Sequence, residues 1–112
     1  MKRINLGEFE ELVLLTTAIL HESAYGISVM QEIENQTNRK INISAVHTAL
    51  DRLENKGLLK SHLGGATNVR GGRRKRYFNI STLGISTLQE ARDLRNALYN
   101  QIPQAVFNYS II

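Results

Sequence analysis

Ser44-Ala45-Val46-His47-Thr48-Ala49-Leu50-Asp51-Arg52-Leu53-Glu54-Asn55-Lys56-Gly57-Leu58 is the stretch whose reading decides the fold. Val46, Ala49, Leu50 and Leu53 fall at i, i+3, i+4 and i+7, the apolar stripe of an amphipathic helix. Ser44 stands where an N-cap is wanted, and Gly57 stands where a left-handed residue ends a helix. The other face offers Ser44, Ala45, His47, Thr48, Asp51, Arg52 and Asn55. These small, hydroxyl, amide and cationic types are the ones that meet bases and phosphates when a helix enters a major groove.

Upstream, Phe9, Leu12, Val13, Thr16, Ile19 and Leu20 recur at helical spacing and predict a helix over about residues 6–21. His21-Glu22-Ser23 interrupts it, and Ser23 is the expected cap of a second helix. That helix carries Ile27, Met30 and Ile33 on one face and ends near Thr37-Asn38. Asn38-Arg39-Lys40 then links it to the decisive helix, so the second and third helices form a helix-turn-helix.

Downstream, 58–63 reads as a short strand. Gly64-Gly65 opens a loop that closes at Gly71-Gly72, and 73–80 reads as the return strand with Phe78 and Ile80 on one face. Ser81 is the expected cap of a last helix running through Leu88, Ala91, Leu94, Leu98 and Ile102 until Pro103 stops or kinks it. Three helices, a hairpin and a long helix make a mostly α chain with a small β-hairpin, a three-helix core carrying a wing. The division that follows is 1–80 for the helix-turn-helix and wing and 81–112 for the last helix and tail.

The charge is unevenly placed. Residues 1–43 hold four basic and six acidic side chains, 44–76 hold eight basic and two acidic, and 77–112 hold two of each. The net +4 therefore sits in the middle third, and its densest part is Arg70-Gly71-Gly72-Arg73-Arg74-Lys75-Arg76, five cations in seven residues with no acid. Like charges at that density repel unless a polyanion relieves them. On a wing, Arg70 and Arg73 have the reach to enter a minor groove, where negative potential is focused.

Other chemistries find no support. No cysteine is present, which removes disulfides, thiolate metal sites and a cysteine nucleophile. His21, His47 and His62 are scattered without a second ligand at metal spacing, the glycines form no phosphate loop, and no catalytic set stands out. Neither a metal, a cofactor nor enzymatic activity is expected. No apolar run approaches the roughly 18 residues of a membrane span. The expected location is the cytoplasm.

Five pieces in order resemble the PadR family of transcriptional regulators: Leu6-Gly7-Glu8-Phe9-Glu10-Glu11-Leu12-Val13-Leu14-Leu15, Ala24-Tyr25-Gly26-Ile27, Ala45 through Leu59, Gly71 through Phe78, and Ile80-Ser81-Thr82-Leu83-Gly84. They span residues 6–84. The resemblance implies a winged helix-turn-helix that dimerises through the C-terminal helix and part of the first. It also implies a repressor, released in some members by small molecules. The DNA-contacting positions it implies are Ser44, His47, Thr48 and Arg52, with Arg73, Arg74 and the neighbouring Arg70, Lys75 and Arg76 in the wing. By the same analogy Tyr25 and Gly26 support the entry to the second helix, and Tyr25 touches a phosphate.

The chain departs from the family at two points. His47 stands where tyrosine is usual, either as a neutral donor to phosphate or as a group that ties binding to pH. No tryptophan is present for flat ligands at the dimer interface, and Tyr99, Phe107 and Tyr109 either line a pocket or pack against a partner.

A helix over 81–102 is about 30 Å long at 1.5 Å per residue. The small domain leaves much of its stripe uncovered. Leu88, Ala91, Leu94, Leu98 and Ile102, with Phe9 and Leu12 of the first helix, are the expected dimerisation surface. The expected partners are double-stranded DNA, a second copy and an unidentified small-molecule effector, with no membrane. The alternative is a winged-helix module that binds another protein and not DNA.

Overall fold

The computed structural model describes residues 4–64 and 74–109. Helix α1 spans Glu8–Leu20, a 3-10 turn His21–Ser23, α2 Gly26–Thr37 and α3 Ile43–Asn55. Strands β1 (Leu59–Leu63) and β2 (Arg76–Ile80) follow, then α4 (Thr82–Tyr99) and α5 (Gln104–Tyr109). The strands pair antiparallel with Leu59 opposite Ile80 and Leu63 opposite Arg76.

One core joins these elements. Val13 and Leu14 of α1, Val29 and Ile33 of α2, and Val46, Ala49, Leu50 and Leu53 of α3 are buried together with Leu58, Leu59 and Phe78. The stripe that decides the reading of α3 is thus its buried face. Truncating one such leucine costs about 2–5 kcal/mol, much of a small domain's stability. Gly57 ends α3 region at φ +79°, as its position implied.

Helix starts differ from the sequence expectation, each for a local reason. The 3-10 turn takes up His21–Ser23, so Ser23 caps nothing. Tyr25 is the N-cap of α2, and its N–H donates to Ser28 Oγ at 2.9 Å. Ser44 lies inside α3 because Asn42, an equally good cap two residues earlier, accepts the Ser44 N–H on Oδ1 at 2.7 Å. Glu8 opens α1, with the Gly7 N–H donating to Glu10 Oε1 at 3.2 Å. Ile27 is half exposed, since Val29 and Ile33 with Met30 already fill the inner face of α2.

β2 begins at Arg76 and not at 73, with Arg74 and Lys75 leading into it. Arg70 and Arg73 lie outside the described residues. α4 stops at Tyr99, so Ile102 is not on the long helix. Its last carbonyls are taken by tight bonds from Gln101 N to Leu98 O and Ile102 N to Tyr99 O. Pro103 disfavours a helical residue before it and lacks the N–H that a continued helix needs.

α4 is fixed to the body at its start. Ser81 caps it, accepting the Gly84 N–H at 3.0 Å and donating to Gly57 O at 2.6 Å. Gly84 lies against the Leu58 carbonyl with no room for a Cβ. Thr87 is buried and Leu88 packs against the core, so the first turns of α4 belong to the same packed body as α1–α3. Beyond Ala91 the same stripe emerges: Leu94 is 40% and Leu98 58% exposed. Among the described residues no single helix is long and apolar enough to cross a membrane.

Candidate nucleic-acid interface

α3 is a ridge between two grooves. On one side Ser44, Ala45, Thr48 and Arg52 line a groove with Glu8, Phe9 and Glu10 at the start of α1. On the other, His47 and Asp51 face Tyr25 and Gly26 at the start of α2 and Arg74, Lys75 and Arg76 at the base of the wing. The expected contact residues that the structure describes therefore divide into two sets, with Ser44, Thr48 and Arg52 apart from Tyr25, His47 and the wing cations. Ser44, His47, Thr48, Arg52, Arg74, Lys75 and Arg76 are all exposed.

The wing side is the more cationic and the better built. Lys75 Nζ stands 4.2 Å from the centre of the Tyr25 ring, and Tyr77 meets Tyr25 edge-on at 5.6 Å. His62, opposite Tyr77 in the strand register, stacks on it at 5.9 Å. Phe78 N donates to Ala24 O at 2.9 Å, which ties β2 to the residue before Tyr25. Cation–π and edge-on aromatic contacts contribute about 0.5–1.5 kcal/mol each. The base of the wing is thereby held against the entry to α2. The sequence reading placed Tyr25 here but missed Tyr77 and His62. Strand alternation was the available signal, since Tyr77 shares the Lys75 face opposite Phe78.

Arg76 is less free than its neighbours. It donates to Ser61 Oγ at 2.8 Å, and Ser61 donates to the Glu54 carboxylate at the end of α3. Its first contact is thus within the protein, bracing β1 and β2 against α3.

The α1 side is tempered by acids. Lys56 Nζ donates to Glu10 Oε1 at 2.7 Å and to Asn5 O at 2.9 Å. That hydrogen bond holds the Glu10 carboxyl below its ordinary value of 4.5, with smaller help from the Gly7 N–H and the charges of Lys56 and Arg52, while burial acts in the opposite sense. Arg39 pairs with Glu8 at 2.6 Å and lies 6.0 Å from the Phe9 ring centre.

The residues expected at a dimer surface also divide. Phe9 and Leu12 pack partly buried against their own core. The exposed apolar residues of α1 are Leu15, which lies off the stripe that the sequence reading followed, and Ile19, which that reading put on the stripe but not on the dimer surface. Leu15 and Glu11 share a shallow groove with Leu88, Arg92 and Asn96 of α4, and Arg95 stands 3.5 Å from Glu11. Tyr99 meets Phe107 of α5 at 5.8 Å, and the Tyr109 side chain lies outside the described residues.

Three helices with a two-stranded wing, a polar outer face on the third helix and a cationic groove beside it define a winged helix-turn-helix regulator. The chain belongs to the Transcriptional regulator PadR-like family, which matches residues 14–90. Among solved structures it is similar to a PadR-like transcription factor from Bacteroides fragilis, at 22% identity and TM-score 0.68 over 82% of this chain and 84% of that one. A PadR-like regulator from Bacillus cereus gives 17% identity and TM-score 0.67 over 90% and 89%. One from Eggerthella lenta gives 24% and 0.66 over 83% and 80%. At these identities the likeness concerns the fold. A search of curated proteins found no match.

Proposed function

We propose that this family member is a sequence-specific reader of double-stranded DNA that acts as a homodimeric repressor in the cytoplasm. The observation that carries the reading is the groove that sets His47 of α3 beside Arg74 and Lys75 of the wing, next to the start of α2. A helix at that position presents base-reading side chains to a major groove. Cations one strand away meet the flanking phosphates, or the minor groove beyond them. In this role Ser44, His47, Thr48 and Arg52 contact the major-groove side. Arg70, Arg73, Arg74 and Lys75 supply wing contacts, with Arg76 bracing them, and Tyr25 positions the wing and meets a phosphate.

Pairing of two copies is supported by the stripe of α4. Leu94 and Leu98 stand clear of the body in line with the packed Thr87 and the half-buried Ala91. An exposed apolar face of this kind marks an association surface. Leu15 and Ile19 extend it across α1. Two-fold pairing sets two recognition helices about 34 Å, one DNA turn, apart or a multiple of it. Repression and release by a small-molecule effector are carried over from the family resemblance.

Selection of duplexes from a random library tests this reading. The expected product is two half-sites in inverted repeat, one helical turn or a multiple apart, bound by two chains. A pool without enrichment contradicts it, and enrichment of a single half-site bound by one chain contradicts the dimer.

A further inference from the structure

The carboxylates of this protein are largely accounted for. Glu8 pairs with Arg39, Glu10 with Lys56, Glu11 with Arg95 and Asp93 with Arg92. Glu34 accepts the Ile41 N–H, and Glu54 accepts from Ser61. Glu22, Asp51 and Glu90 make no hydrogen bond or ion pair with the described residues, and of these three exposed acids only Asp51 stands on α3. It lies on the outer face of α3, one turn after His47 and one before Asn55, and it lines the groove whose other charged members are Arg74, Lys75 and Arg76.

Among the described residues nothing pairs with an acid there. Aspartate is a weak helix former, and an anion in the C-terminal half of a helix opposes the macrodipole. On a surface that meets phosphates it also lowers general affinity for DNA. What a carboxylate gains in a major groove is an amino donor, and cytosine N4 is the one that aspartate and glutamate accept from.

We propose that Asp51 is a specificity-determining residue that accepts a hydrogen bond from the exocyclic amino group of a cytosine. The inference rests on the reading of α3 as a DNA-recognition helix. A register that places a phosphate or a carbonyl-bearing base edge opposite Asp51 is rejected by repulsion, so one residue both selects the right base and penalises wrong sites. The wing cations supply attraction that is indifferent to sequence, and Asp51 makes part of it conditional.

The test uses the full chain and the duplex obtained by selection. All four base pairs are placed in turn at each position of a half-site and titrated against wild type, Asp51→Ala and Asp51→Asn. Wild type is expected to prefer cytosine at one position by about 10-fold or more, the range of a good base contact. Asp51→Ala should lose that preference alone while binding unrelated duplex more tightly. Asp51→Asn should move the preference towards adenine, whose edge suits an amide. Melting temperature serves as the control for folding, since the side chain is exposed and has no partner among the described residues. A base profile unchanged in Asp51→Ala overturns the assignment while leaving DNA reading intact. A flat profile for the wild type overturns both.

Discussion

The imidazole of His47 lies so close to the backbone of Gly26 that a Cβ built on Gly26 would stand 2.5 Å from His47 Cε1. Glycine at the first residue of α2 thus lets a side chain of α3 rest against the neighbouring helix. Gly26→Ala is expected to cost little stability, because the exposed ring can swing away and alanine favours a helix by up to about 1 kcal/mol. Its effect should fall on DNA affinity through displacement of His47. In a His47→Ala background the same substitution should change affinity no further, a coupling that a double-mutant titration measures directly.

Tyr25 carries two separable roles. Tyr25→Phe keeps the ring under Lys75 and beside Tyr77, so urea unfolding should shift by less than about 0.5 kcal/mol. Any loss of DNA affinity in that variant then reports the hydroxyl. Tyr25→Ala removes the ring, and is expected to destabilise by about 1–2 kcal/mol and to speed amide exchange in β2.

This division was only partly legible beforehand. The buried stripe of α3, the left-handed Gly57 and the capping Ser81 follow from spacing and residue type, and each stands where the pattern put it. Caps at Tyr25 and Asn42 were not legible, because several polar residues near each helix start compete and the tertiary contacts choose among them. The split of the α3 outer face into two grooves depends on where α1 and the wing pack, which no helical period encodes. Arg76 reads as one more cation in a run, and only its partner Ser61 across the hairpin shows that it braces the fold.

Glu10 links acid stability to the end of α3. Its carboxyl is held below 4.5 in the folded protein, chiefly by the Lys56 hydrogen bond. A depressed folded value means the stabilisation is full above the ordinary glutamate range and is lost as pH falls through the lowered value. Glu10→Gln is expected to be less stable than wild type by about 1 kcal/mol at neutral pH, a cap-sized loss. The gap should close in acid. Denaturant unfolding at both pH values measures it, and a gap that widens in acid contradicts the pairing.

Association and folding should separate along α1. Leu94→Glu with Leu98→Glu places charges on the exposed stripe and is expected to give a folded monomer in sedimentation at micromolar concentration. Leu15→Glu should weaken the dimer in the same way. Phe9→Ala, on the core side, should instead lower the melting temperature, at a cost of about 3–5 kcal/mol or less given its partial burial.

The most direct test of the central claim is a salt series of equilibrium binding to the selected duplex and to an unrelated one. The wild-type protein is expected to bind its site at least 10³-fold more tightly than the competitor. Its log K should fall with log salt at a slope of about −0.9 for each phosphate contact, and Arg74→Ala/Lys75→Ala should flatten that slope by about two contacts. Equal, weak binding to both duplexes, or a slope untouched by the double substitution, would contradict the assignment of α3 and the wing as a DNA-reading surface.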